Sequence, residues 1–212
     1  MHLFKDLILF IKFQFLKKEF RIGFFCENKN IQLYLAPYIK KKSLKEKVLV
    51  IASEKLDLED IDNVFLYVFK TKFFIELLFL TLRLKYFYSS TPDLNNSLFV
   101  KSKSSKCKYI YLQHSPVSIT KAYNDKAFDH FNAIQAINSF QYNEIQDIKK
   151  IKNLKTKAFK SRYAFFNSNN SNNTKTKFDI LIAPTWKSNF YSLNCHKILI
   201  DFLIKNNISY KL

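Results

Sequence analysis

Short, nearly unbroken apolar runs alternate along the chain with longer runs of mixed character. "KVLVIAS", residues 47–53, is β-branched or apolar at almost every position, the mark of a strand covered on both faces. "VFLYVF", 64–69, repeats that pattern. "RIGFFCENKN" predicts a short buried strand over Ile22–Cys26, closed by a polar turn. "YFYSST", 86–91, and "KCKYIYLQ", 106–113, predict a fourth and a fifth strand. The intervening runs read differently. "IQLYLAPYIKKK" predicts a helix interrupted at Pro37, "DLEDIDN" an acidic turn or short helix, and "TKFFIELLFLTLRLK" a mostly buried helix. Phe128 to Ile137 fits a short strand or a helix, the strand reading being centred on Ala133–Ala136. Residues 139–151 then predict a helix with Ser139 as its N-cap.

"NSNNSNNTKTK", 167–177, has no apolar residue and cannot contribute to a core, so it reads as a linker or long loop. After it the pattern restarts. "FDILIAPTW", 178–186, predicts a strand ending in a Pro-Thr-Trp turn. "SLNCHKILIDFLIKNN" predicts an amphipathic helix with Ile198, Phe202 and Leu203 on one face, and "ISYKL" a new strand. Strands alternating with helices predict an α/β fold with a mostly parallel sheet. The expected organisation is an N-terminal helix over 1–20, an N-terminal domain over 21–166, the linker over 167–177, and the start of a second domain over 178–212. A strand–helix–strand unit is too small to stand alone. It either packs onto the first sheet or opens a second α/β domain held only in part.

The opening "MHLFKDLILFIKFQFLKKEF" resembles neither a signal peptide nor a spanning helix. Its longest uncharged run is Leu7 to Ile11, far short of the roughly 20 apolar residues a span needs, and no small-residue cleavage site follows. Leu3, Leu7, Phe10, Phe13 and Phe20 fall near helical spacing, with Lys5, Lys12, Lys17 and Lys18 between them. Two readings fit: a basic amphipathic helix on the inner membrane surface, and a helix packed on its own domain.

Charge widens the list of partners. The chain carries 35 Lys and Arg against 17 Asp and Glu, a net charge of +18. That favours something anionic: nucleic acid, a nucleotide-bearing substrate or an acidic membrane surface. The excess of Lys, with abundant Phe, Asn, Ile and Tyr and one glycine, is also what an AT-rich genome imprints. Nearly half the residues are hydrophobic, which suffices for a sizeable core and excludes disorder over the whole length. Cys26, Cys107 and Cys195 lie far apart with no metal-ligand spacing. They read as reduced thiols of a cytoplasmic protein without a metal site.

The single glycine rules out a P-loop and a GxGxxG turn, and no HExxH occurs. Position is the remaining guide. In parallel α/β sheets ligands sit at the carboxyl ends of strands. Thr91-Pro92-Asp93 and Gln113-His114-Ser115-Pro116 both fall there. His114 is placed where a general base works, or where a structural histidine is hydrogen-bonded. Ser115 lacks an evident acid–base partner for a nucleophile and fits a cap or backbone brace. Asp129 fits a positioning carboxylate or a turn cap, and Glu144 a helix-start carboxylate.

Taken in order, "YLQHSPVSITKAYNDKAFDHFNAI", "QYNEI" and "ILIAPTWKSNF" resemble the CDP-glycerol glycerophosphotransferase family, the teichoic-acid-type polymerases and their relatives. The features that carry the resemblance are His114-Ser115 at a strand end, Phe128-Asp129, Gln141 to Ile145 at a helix start, and Ala183-Pro184-Thr185-Trp186 at a second strand end. They span roughly residues 86–212. The resemblance implies a GT-B fold, two Rossmann-like domains facing a cleft, with the acceptor on the N-terminal side and the donor on the C-terminal side. It implies that an acceptor hydroxyl attacks the β-phosphorus of a CDP-glycerol-type donor, a substrate and not a cofactor, and that CMP leaves. The acceptor would be a lipid-linked or polymeric cell-surface glycopolymer. His114 would be the base, Ser115 and Asp129 substrate-side residues, and Thr185, Trp186 and Lys187 donor-phosphate or cleft residues.

Two departures stand out. His114 is followed by Ser-Pro where the better-known pattern has Gly. The family's second histidine, in a His-Pro pair, belongs beyond the strand "ISYKL", so the expectation is a member truncated within its donor domain. An inactive or accessory relative, and another GT-B enzyme using a nucleotide-sugar, share this pattern. A basic nucleic-acid-binding module, not the expected reading, would instead show one concentrated basic stripe with exposed aromatics.

Overall fold

Side chains of β2 (Val48–Ala52) are buried at every position and alternate between two cores, Leu49 and Ile51 on one face, Val48, Val50 and Ala52 on the other. That two-sided burial sets the architecture. The structure, a computed structural model, describes residues 2–58, 60–95, 99–102, 106–162, 180–181 and 195–211. It divides into two units, Met1–Asn169 and Asn170–Leu212.

The first unit is a Rossmann-like α/β fold. Its sheet holds β1 (Ile22–Cys26), β2, β3 (Val64–Val68), β4 (Tyr86–Ser89), β5 (Lys108–Tyr111), β6 (Ala133–Ala136) and β7 (Lys157–Lys160). The seven strands are all parallel, in the order β3-β2-β1-β4-β5-β6-β7. Helix α2 (Lys29–Ser43), joining β1 to β2, buries Leu35 and Ile39 in one core. Helices α1 (His2–Leu16), α3 (Lys72–Thr81), α4 (Ile119–Ala122) and α5 (Ser139–Ile151) pack on the other face through Phe13, Leu78, Ile119 and Ile145. The connecting helices change face where the strand order reverses, between β1 and β4, as right-handed crossovers require. The lone glycine, Gly23, lies mid-strand in β1. A Cβ there would sit 2.5 Å from Leu84 Cδ1 and 2.9 Å from Phe87 Cδ2.

In this unit the strands predicted at Ile22–Cys26 and Ala133–Ala136 form as read, those at 47–53, 64–69, 86–91 and 106–113 form with trimmed ends, and three local expectations change. Helix α2 runs unbroken through Pro37. The carbonyl that loses its partner belongs to Leu33, on the exposed side of the helix, where solvent serves it. The N-cap of α5 is Asn138, whose Oδ1 accepts from the Gln141 N–H at 2.8 Å, and Ser139 is already helical. Helix α3 ends at Thr81, because Leu82 and Leu84 turn into the core to feed β4. The N-terminal helix, expected over 1–20, ends at Leu16 and is followed by a 3-10 turn, Lys17–Glu19. It packs on its own domain with Phe13 buried, and Phe20 beyond the turn is buried as well. Among the described residues no helix is long and apolar enough to cross a membrane.

In the second unit β8 (Ile180–Leu181) pairs in parallel with β9 (Tyr210–Lys211), and α6 (Cys195–Lys205) lies between them in sequence. Of the apolar face predicted there, Leu203 is buried while Ile198 and Phe202 are exposed. The expected linker, 167–177, lies outside the described residues.

Candidate functional site

β1 is flanked by β2 and β4, so a crevice opens between the carboxyl ends of β1 and β4. The turn after β1 brings Glu27 there, and the turn after β4 brings Ser90 and Thr91. The Thr91 hydroxyl donates to Glu27 Oε2 at 3.4 Å. Glu27 and Thr91, with Ser53 and Lys72, line a cavity of about 160 Å³ completed by Ile75 and the rings of Phe25, Phe79 and Phe99.

His114 stands beside this crevice, just past the end of β5, the neighbour of β4. Its imidazole is half-buried and hydrogen-bonded to the backbone of Ser90. Nδ1 lies 3.5 Å from the Tyr111 hydroxyl, which donates to the Tyr123 hydroxyl at 3.2 Å. The rings of Tyr34 on α2 and Tyr123 stand edge-on to the imidazole, with centroids 6.2 and 6.5 Å away. Burial pushes the His114 pKa down. The bond to Ser90 and the charge of Glu27 push it up, but not far enough to cancel the burial. At neutral pH the ring is therefore mainly uncharged and keeps a lone pair for a proton.

The loop carrying His114 is held from α5. The Gln141 carboxamide, itself buried, donates to the carbonyls of Val117 at 2.8 Å and Ser115 at 3.4 Å. One turn on, Glu144 accepts from the Ser118 and Thr120 hydroxyls at 2.5 and 2.8 Å and from the Ile119 N–H at 2.9 Å. Gln141 and Glu144 are the polar pair of "QYNEI". Their spacing of three puts both on one side of the helix, and that side grips "SPVSIT". Glu144 thus caps α4 and not the start of its own helix.

Two polar groups next to His114 have no such support. Ser90 Oγ and both polar atoms of the Gln113 side chain are buried with no hydrogen-bond partner among the described residues. Gln113 is 2% exposed. Each orphaned group of this kind costs about 1–3 kcal/mol, and such groups collect at functional sites.

The structure brings His114, Ser115, Gln141 and Glu144 together. Ser115 is half-buried and contributes its carbonyl to the Gln141 brace. Asp129 is engaged elsewhere: its carboxylate pairs with Lys152 at 3.1 Å, and the same ammonium pairs with Asp125 at 3.0 Å. Its neighbour Phe128 packs on Tyr111, with centroids 4.8 Å apart. Thr185, Trp186 and Lys187 lie outside the described residues. Glu27, Tyr34, Ser90 and Tyr123 join the site without a motif to announce them. They meet only because β1 and β4 are neighbours and α2 and α4 flank the same strand ends. Among the described residues no three His, Cys, Asp or Glu side chains gather as a metal site. Burial pushes the Cys26 and Cys107 thiols up to about 12, so neither is a ready nucleophile.

No protein-family model, no curated protein and no solved structure matches this chain.

Proposed function

We propose that the chain is a transferase in which His114 acts as general base on a substrate hydroxyl. Following the CDP-glycerol glycerophosphotransferase resemblance, the reaction moves a glycerol-phosphate or similar polyol-phosphate unit from a CDP-activated donor to a cell-surface glycopolymer. One observation carries the reading. An uncharged imidazole stands at the crevice next to a buried hydroxyl and a buried carboxamide that have no hydrogen-bond partner among the described residues. A polyol, whose hydroxyls both donate and accept, is the ligand chemistry that suits both groups, and a phosphate suits their donors.

In this reading the acceptor hydroxyl lies against the imidazole. Its proton passes to His114 as its oxygen bonds to the β-phosphorus, and the bond from that phosphorus to CMP breaks. The imidazolium that forms is favoured by the Glu27 carboxylate. Charge developing on the phosphates calls for cations and N–H donors, the part assigned to Thr185, Trp186 and Lys187.

The test is CMP release from CDP-glycerol in the presence of glycerol-phosphate oligomers. His114→Ala is expected to slow release by about 10²–10⁴-fold, the span typical of a general base, with an unchanged urea midpoint. Release unaffected by that substitution removes His114 from the chemistry. CDP-glycerol binding by calorimetry with no CMP release makes the chain a binding relative and not an enzyme.

A further inference from the structure

Helix α1 is apolar on two opposite sides, and its own domain covers only one. Asp6 decides which. Its carboxylate is buried and accepts from the backbone N–H groups of Lys70 at 3.1 Å and Thr71 at 2.7 Å, the residues that open α3. With Asp6 turned in, Phe10 packs on Phe74 and Phe13 on Tyr67. Phe4, Ile8, Ile11 and Phe15, spaced at intervals of four, three and four, share the opposite side. All four are exposed, Phe4 at 69% and Phe15 at 81%. This is not the stripe that spacing alone picks out, since Phe10, Phe13 and Phe20 of that stripe face the core. On α3, Phe73 and Leu80 are exposed as well. A surface helix with a second apolar side left open to solvent calls for a second partner.

Charge says what kind. Both acidic residues among the first twenty are occupied: Asp6 points in, and Glu19 pairs with Lys47 at 2.6 Å. Lys5 and Lys12 flank the outer stripe, and Lys17 and Lys18 follow its end. Arg83 joins them there: burial, then the charges of Arg83 and Lys18, hold the Lys17 pKa below its usual value. A second copy of the chain is a poor partner, because each copy carries +18. A surface that is oily inside and anionic outside suits both features.

We propose that the outer face of α1 docks on an anionic lipid bilayer. Phe4, Ile8, Ile11 and Phe15 enter the headgroup–acyl boundary, and Lys17, Lys18 and Arg83 meet lipid phosphates. The inference stands on α1 alone and does not depend on the role of His114.

The experiment mixes the 212-residue chain with vesicles of phosphatidylcholine, alone or with about a third phosphatidylglycerol. The bound fraction is read by sedimentation. Binding to the anionic vesicles is expected, about tenfold or more above the neutral ones. The combined variant Phe4→Ser, Ile8→Gln, Ile11→Gln, Phe15→Ser should lower binding about tenfold or more. Its circular dichroism and urea midpoint should hold, since the four side chains face solvent. Absence of binding by the parent chain overturns the proposal, as does binding that survives the four substitutions. A dimer in vesicle-free sedimentation velocity that the same variant abolishes also overturns it, by assigning the stripe to a second copy.

Discussion

The carboxylate of Glu144 on α5 accepts the hydroxyl of Ser118 at 2.5 Å, so the helix after β6 fixes the loop after β5 and the histidine at its head. Burial raises the Glu144 pKa, but the bonds from Ser118, Ile119 and Thr120 outweigh it and hold the carboxyl below its usual range. A folded value below the unfolded one stabilises the protein above the ordinary Glu pKa. That contribution is lost as pH falls through the folded value. Glu144→Ala is expected to cost about 1–3 kcal/mol in urea unfolding at neutral pH. It should also remove part of the acid-induced loss of stability seen in the parent chain.

The depressed pKa of His114 fixes the direction of a pH profile. A general base works when uncharged, so under the proposed reaction CMP release should persist to a pH below the ordinary histidine range and then fall. His114→Ala should erase that limb. The same shift bears on stability. The unfolded chain takes up this proton more readily than the folded one, so stability declines as pH drops below the ordinary histidine value. A histidine NMR titration reads the midpoint directly.

Asp6→Ala should lower stability by about 1–3 kcal/mol, because the part-buried, charge-assisted bonds from the Lys70 and Thr71 N–H groups are lost. Asp6→Asn keeps an acceptor oxygen and should cost less. Hydrogen exchange at α1 and at the first turn of α3 should quicken together in the Ala variant, since one side chain ties both.

Gly23→Ala tests the close approach in β1. The Leu84 methyl has some freedom to move. The Phe87 ring does not, packed as it is between Phe79, Phe99 and Tyr109. Overpacking of this kind costs about 1–3 kcal/mol, read as a lower urea midpoint.

Cys26 and Cys107 should resist a thiol reagent at mildly alkaline pH in the folded protein, because burial holds both near 12. Both should react once urea unfolds the chain. Rapid labelling of either in the native state would contradict the packing of β1 or of the segment entering β5.

What the sequence disclosed follows from physics that is local. β2 was legible because five consecutive buried positions demand apolar residues. His114 was locatable because a strand run stops against a proline. β7 was not, since "KAFK" carries a lysine at each end and only its two middle residues are half-buried. Glu27, Tyr34 and Ser90 could not be grouped with His114 without knowing that β1 lies beside β4, which no short stretch encodes. The outward stripe of α1 was hidden for a different reason. Where both sides of a helix are apolar, periodicity favours neither, and the inward turn of a charged Asp6 is a tertiary fact.

The two margins of the sheet are protected in different ways. β7 ends its ladder with Lys157 and Lys160, charges that discourage another strand from adding on. β3 reads Val-Phe-Leu-Tyr-Val and has no charge of its own. Phe13 against Tyr67, and Phe20 against Phe65, place the N-terminal segment along it. The first twenty residues therefore cover the apolar face of the marginal strand. A chain shortened at its start would bare the rings of Phe65 and Tyr67, and clumping would be its first symptom.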